Sequence, residues 1–194
     1  MYELCVIGSS WGGLKAVGRL LDGIPEGLEL AFVVAQHRGA DSRPGGLEQL
    51  LQHHTPYLVC EAGDKDAIDA GRVYVAPPNY HLLVEPGSFA LSTDERVNYA
   101  RPSIDVLFES ASDAYGNRLI GIVLTGANQD GAAGLAQIKR RGGVAIVQDP
   151  REAEAPAMPT AALAATDADA VLPLDEIGRF LHGLCAPVAS GGAR

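Results

Sequence analysis

Short unbroken apolar runs alternate with amphipathic stretches along most of this chain, and that alternation predicts the architecture. Residues 4–7 are apolar throughout and too few for a helix, so they read as a buried strand, with a helix following over 13–21. A second apolar run covers 28–35, and 47–53 has helical spacing, entered through Pro44-Gly45-Gly46. The rhythm then changes. Short runs at 57–60, 72–76, 81–85 and 89–92 are separated by Gly63-Asp64, Pro77-Pro78-Asn79 and Pro86-Gly87, which predicts hairpin-like antiparallel strands inserted on the sheet. Beyond them Ser103 caps a helix to about residue 115 that buries Ile104, Leu107, Phe108 and Ala111. A nearly continuous apolar strand at 119–125 leads through a glycine-bearing loop into a helix over 132–141. Another strand spans 144–148, and an extended loop at 156–159 precedes a short alanine-rich helix. A last strand at 170–172 and a last helix at 174–184 complete the pattern.

Strands alternating with helices in this way specify an α/β fold: a doubly wound, mainly parallel sheet with helices on both faces and a small antiparallel hairpin insertion. At 194 residues the chain has room for one domain, expected over 1–186, with small residues at 187–194 forming a flexible tail.

Charge and cysteine usage narrow the classes of function. A net charge of -9 repels nucleic acid and anionic membrane surfaces, and no apolar run approaches the roughly 18 residues of a membrane helix, so neither nucleic-acid binding nor direct membrane insertion is expected. Cys5, Cys60 and Cys185 are far apart and form no Cys-x-x-Cys pair, which suits reduced thiols in the cytoplasm and argues against zinc. Asp64, Asp66 and Asp69 lack the closing glutamate of a cation loop and read as a solvated acidic turn. No metal or cofactor is expected.

The chemistry concentrates where strands end. Gly8-x-Ser10-x-Gly12 follows the first strand, and small residues on both sides of a serine allow a sharp strand-to-helix turn that lifts the hydroxyl out. Two phosphate-binding templates fail at this stretch. A dinucleotide fingerprint needs glycine where Ser10 stands, and a phosphate loop needs Lys where Leu14 stands. His37 lies just past the second strand, and Asp130 lies in the loop after the strand at 119–125. In a parallel sheet those loops share one edge, so Ser10, His37 and Asp130 can converge as nucleophile, base and orienting carboxylate. Asp130 serves equally well, on local grounds, as the cap of the helix that follows it. His81, after a Pro-Pro-Asn turn, is the rival base; His53 and His54 read as structural groups near a helix end.

Five segments carry a resemblance. Ile-Gly-Ser-Ser-Trp-Gly-Gly at 7–13, Gln-His at 36–37, Tyr-Val-Ala-Pro-Pro at 74–78, Arg-Pro-Ser-Ile-Asp at 101–105 and Leu-Thr-Gly-Ala-Asn-Gln-Asp-Gly-Ala-Ala-Gly at 124–134 resemble, in order and spacing, the catalytic domain of CheB-type chemotaxis protein-glutamate methylesterases. The resemblance implies a serine hydrolase that removes methyl groups from glutamate methyl esters on the cytoplasmic helices of methyl-accepting chemoreceptors, or another methylated protein, and that also deamidates receptor glutamines. It places the triad on Ser10, His37 and Asp130, the oxyanion donors on the backbone N–H groups of Trp11 and Ala127, and requires no cofactor. Trp11 and Ala127 stand where the family usually has threonine and methionine, which changes the pocket wall on both sides of the nucleophile. The chain opens directly on the catalytic strand, so the family's usual N-terminal receiver domain is not expected in it, which leaves control by a separate receiver protein or none. Two other readings stand beside the methylesterase: a binding module of the same fold with weak or no turnover, and an esterase acting on a non-receptor ester.

Overall fold

The computed structural model describes residues 1–39 and 45–185. The first strand, β1 (Leu4–Ser9), runs through the middle of a seven-stranded sheet. On one side lie β2 (Ala31–Gln36), then β4 (Arg72–Val75), then β3 (Leu58–Glu61). On the other lie β7 (Leu119–Val123), β8 (Val144–Gln148) and β9 (Ala170–Leu172). Every neighbouring pair is parallel. A separate antiparallel hairpin joins β5 (His81–Glu85) to β6 (Ser88–Ser92).

Successive residues of the central strands point to opposite faces, so each strand feeds two cores. Cys5, Ile7, Phe32, Val34, Ile120 and Ile122 pack with Leu20 of α1 (Gly13–Asp22), Leu51 of α2 (Gly46–Gln52) and Ile177 of α6 (Leu174–Cys185). Leu4, Val6, Ala31, Val33, Leu119 and Val123 face the other way. They meet Phe108 of α3 (Ile104–Tyr115), Leu135 of α4 (Ala132–Arg140) and Met158 of α5 (Ala157–Ala165), with Leu82 and Phe89 of the hairpin in the same core. Each fully buried side chain of this size contributes about 1.5–3 kcal/mol. The doubly wound fold with helices on both faces is therefore as the periodicity predicts.

The hairpin insertion is smaller than expected. Among the described strands only β5 and β6 pair antiparallel; β3 and β4 belong to the parallel sheet, in register from Leu58↔Arg72 to Glu61↔Val75. The ten residues that return the chain from one to the other contain no helix, and so imitated a hairpin connection in the sequence. They are fixed instead by side chains. The Tyr74 hydroxyl donates to the Ala67 carbonyl and accepts from the Asp69 N–H, Asp66 accepts from the Gly63 N–H, and Asp64 accepts from the Leu91 N–H. The acidic turn thus holds backbone donors.

Two further differences have local causes. Pro156 and Pro159 do not keep the chain extended: Pro156 caps α5 and Pro159 sits in its first turn, where the missing N–H costs nothing. Strand β1 continues through Gly8 to Ser9, so Gly8 is not the turn. Its glycine is required by packing, because a Cβ there would lie 2.3 Å from Ile104 Cγ2. We expect Gly8→Ala to cost about 1–3 kcal/mol by overpacking, and to cost less when Ile104→Ala removes the Cγ2 methyl that the new Cβ would strike. Urea unfolding of the two single variants and the double variant measures this coupling. The predicted tail at 187–194 and the Pro44 entry to α2 lie outside the described residues. No described helix is long and apolar enough to cross a membrane.

Candidate active site

Connections from β1 run over one face, through α1 to β2, while those from β7 run over the other, through α4 to β8. The winding reverses between β1 and β7, and the carboxyl ends of these neighbours open a crevice there. Three loops meet in it. Register does the first part of the placement: Ser9 pairs with Gln36, so the next residues, Ser10 and His37, leave adjacent strands side by side. Two bonds tie the loop after β7 to the same place. The Ser10 N–H donates to Thr125 O at 2.9 Å, and the Thr125 hydroxyl donates to Trp11 O at 2.9 Å.

The His37 ring bridges the other two groups. Its Nδ1 is 3.2 Å from Ser10 Oγ and its Nε2 is 2.7 Å from Asp130 Oδ2. Asp130 is fully buried and the His37 side chain 13% exposed. A carboxylate on Nε2 requires a proton there, which leaves Nδ1 as the lone pair facing the serine hydroxyl. That arrangement can take the hydroxyl proton, generate an alkoxide and stabilise the resulting imidazolium.

Asp130 does more than orient the ring. Its Oδ2 accepts from the Ile104 N–H at 2.7 Å, and its Oδ1 accepts from the Asp105 N–H, the Ser103 hydroxyl and Asn98 Nδ2 at 2.9–3.1 Å. It therefore supports the start of α3, not α4, beside the predicted cap Ser103, whose hydroxyl accepts from the Val106 N–H. The cap of α4 is Asp105, whose Oδ1 accepts from the N–H groups of Gly131 and Gly134 at 2.9 and 2.8 Å. The two helices exchange carboxylates, each contributing the side chain that the other's amino terminus needs. Asn98 bridges the pair, giving one Nδ2 bond to each carboxylate.

Their environments drive the two acids apart. Burial works against the Asp130 anion, but donors from His37, Asn98, Ile104 and Asp105 outweigh it and bring its pKa down to about 2. Asp105 goes the other way. Burial raises it to about 6, the Asp130 charge adds to the rise, and the Gly134 and Gly131 N–H groups only moderate it. An acid whose folded pKa lies above its unfolded value near 3.8 stabilises the fold below that value and loses the contribution as pH climbs through about 6. Between pH 4 and 7 the wild type should therefore lose stability relative to Asp105→Asn, which has no proton to release. Thermal unfolding of both across that range tests the sign.

Around the triad are braces that the sequence alone did not single out. The Gln36 side-chain amide donates to the carbonyls of both Ser10 and His37, at 2.8 and 2.9 Å, while its Oε1 accepts from the buried Ser9 hydroxyl at 2.5 Å. Gly13 makes room for it, since a Cβ there would stand 2.1 Å from Gln36 Oε1. The Gln148 side-chain carbonyl accepts from the Thr125 N–H at 2.8 Å and so steadies the start of the loop that carries Asp130. Gln36 was visible only as a neighbour of His37, and nothing in the sequence singled out Asn98; neither has a local pattern that betrays a partner across the fold.

The remaining histidines are placed elsewhere. His81 is buried, donating from Nε2 to Glu95 O and accepting at Nδ1 from the Ser103 N–H, so both ring nitrogens are engaged beneath α3 and the ring is not placed to act as the base. His54 meets Asp22 on the surface beside α1, and His53 ends α2. Trp11 is 66% exposed, with Leu14 and Leu50 also exposed along the wall of a cleft of about 790 Å³ that reaches Ser10 and His37. The N–H groups of Trp11 and Ala127 meet no acceptor among the described residues. Among the described residues no three His, Cys, Asp or Glu side chains gather closely enough to hold a metal ion.

A hydroxyl, an imidazole and a buried carboxylate in series, at the switch point of a parallel sheet, define a centre of the serine-hydrolase class. The order Ser, His, Asp along the chain separates it from α/β-hydrolases. Comparison with known proteins narrows the class. A sequence model described as CheB methylesterase matches residues 5–181, and the chain belongs to that family. A Leptospira interrogans protein, named provisionally as a protein-glutamate methylesterase/protein-glutamine glutaminase, is 50% identical over 180 residues, covering 92% of this chain and 93% of its own. Myxococcus xanthus protein-glutamate methylesterase FrzG is 39% identical over 181 residues, and there the chain covers 93% of itself but only 54% of the relative. The crystal structure of the Thermotoga maritima CheB methylesterase catalytic domain superposes with a TM-score of 0.87 at 30% identity, over 95% of this chain and 99% of that one.

Proposed function

We propose that this CheB-family methylesterase hydrolyses glutamate methyl esters of chemoreceptor proteins through a Ser10 acyl-enzyme, with His37 as the general base and acid and Asp130 as its orienting carboxylate. The observation that carries the assignment is the His37 ring, 3.2 Å from Ser10 Oγ on one side and 2.7 Å from Asp130 Oδ2 on the other. Ser10 Oγ attacks the ester carbonyl as Nδ1 of His37 removes its proton. The tetrahedral oxyanion is held by the N–H groups of Trp11 and Ala127, which lie on the two loops joined through Thr125. The imidazolium returns its proton to the methoxide oxygen and methanol leaves. Water, deprotonated by the same Nδ1, then attacks the acyl-serine, and the proton returns to Ser10 as the glutamate carboxylate departs. A receptor glutamine follows the same path with ammonia as the leaving group. Receptor cytoplasmic helices place this reaction in the cytoplasm.

A fluorophosphonate probe tests the central claim, because phosphonylation requires an activated hydroxyl. Labelling confined to Ser10, together with methanol release from a methylated receptor fragment, is the expected result. Labelling of Ser10 while the receptor methyl groups persist would redirect the activity to a different ester. Absence of labelling would leave a binding module.

A further inference from the structure

On the side of His37 away from the apolar cleft lies a second pocket of about 330 Å³, lined by Arg38, Arg96 and Arg101 together with asparagines. The chain carries 15 Lys and Arg against 24 Asp and Glu, yet none of the described residues lining this pocket is acidic. Much of its positive charge meets no acid among the described residues. Arg96 is exposed and meets no ion-pair or hydrogen-bond partner among the described residues. Among the described residues the Arg101 guanidinium donates only to the carbonyls of Thr93 and Asp94, which fix its position without cancelling its charge. Arg38 alone meets an acid, Glu61, at 3.3 Å.

The segment that presents this charge is tied to the triad. Val97 and Ala100 bond each other across a tight turn in which Asn98 and Tyr99 have φ of +50° and +64°. Asparagine tolerates that conformation, and here its amide is fixed to Asp105 and Asp130. Tyrosine does not tolerate it well, and at 96% exposure its ring is not held there by packing. Strain kept at an exposed aromatic, on a turn anchored to the catalytic carboxylate, points to contact with something outside the chain.

We propose that this pocket is a carboxylate subsite: it receives an acidic side chain of the substrate protein next to the glutamyl ester being cleaved, with Arg96 and Arg101 holding the anion and Tyr99 covering it. The ester carbonyl is neutral, so the arginines are not needed for the scissile group itself. Each turnover leaves a carboxylate on the substrate, so a pocket of this charge favours surfaces that already carry acids. The assignment rests on the methylesterase reading above.

The test uses the full chain and methylated receptor fragments in which acids flanking the ester are kept, changed to amides, or changed to lysine. For the wild type, kcat/KM is expected to fall about tenfold when the flanking acids become amides, chiefly through KM. Arg96→Glu should lose that preference and favour lysine-flanked fragments, and Tyr99→Ala should raise KM on the acidic fragment. Inorganic phosphate forms the other arm. Wild-type rates indifferent to the flanking acids would overturn the subsite, and phosphate inhibition with the same indifference would reassign it to a free anion. A wild type that releases no methanol from any fragment while Ser10 stays unlabelled would sink the methylesterase reading instead.

Discussion

Ser10→Ala is expected to lower methanol release from a methylated receptor fragment by at least about 10⁴-fold while leaving the unfolding midpoint nearly unchanged. The rate loss follows from the chemistry. Without Oγ there is no acyl-enzyme, and water is not held at the serine's position, so only the oxyanion donors and substrate binding continue to accelerate the reaction. The neutral effect on stability follows from the contacts: among the described residues the Ser10 hydroxyl bonds only to His37, whereas its N–H and carbonyl, which alanine retains, hold Thr125 and Gln36. Initial rates and a denaturation curve on the same preparation check both halves. Methanol release within tenfold of the wild type would remove Ser10 from the mechanism.

Asp130→Asn should fail in both respects. An amide would place an NH₂ where the carboxylate now accepts from His37, Asn98, Ser103, Ile104 and Asp105, and neither amide orientation avoids setting donor against donor. Turnover should drop about 10⁴-fold because the ring loses the partner that fixes its tautomer. Stability should fall by on the order of 3 kcal/mol, because buried donors at the start of α3 lose their acceptor. The acid limb of the stability profile should change as well. A carboxylate held near pKa 2 stabilises the fold above its unfolded value near 3.8 and loses that contribution as pH falls through about 2, and the asparagine variant has no such contribution to lose. Equilibrium unfolding from pH 2 to 7 separates this from a purely catalytic role.

How much of this was legible in the sequence depended on the range of the interaction. Strands β8 and β9 and helix α3 were visible because their signals are local: an apolar run, a capping serine, helical spacing. Ser10, His37 and Asp130 could be set on one edge because parallel strands make their carboxyl ends neighbours, although that argument never supplied the distances. What escaped was whatever depends on a partner distant in the chain. Asp130 suited the helix immediately after it, yet the described structure gives that duty to Asp105 and uses Asp130 for the helix that begins at Ile104. Gly8 looked like a turn residue and is instead a strand residue against which Ile104 of α3 packs too closely to admit a Cβ. The connection between β3 and β4 misled because a parallel crossover without a helix has no periodicity to announce it.

The exchange of carboxylates between α3 and α4 has a consequence for judging relatives that have lost activity. A descendant that abandons ester hydrolysis is under no pressure to keep its alcohol or imidazole, but discarding the aspartate would leave buried donors at the start of α3 without their acceptor. Retention of that acid is therefore weak testimony to turnover. The informative positions in any divergent copy are those equivalent to Ser10 and His37, whose side chains no helix start depends on.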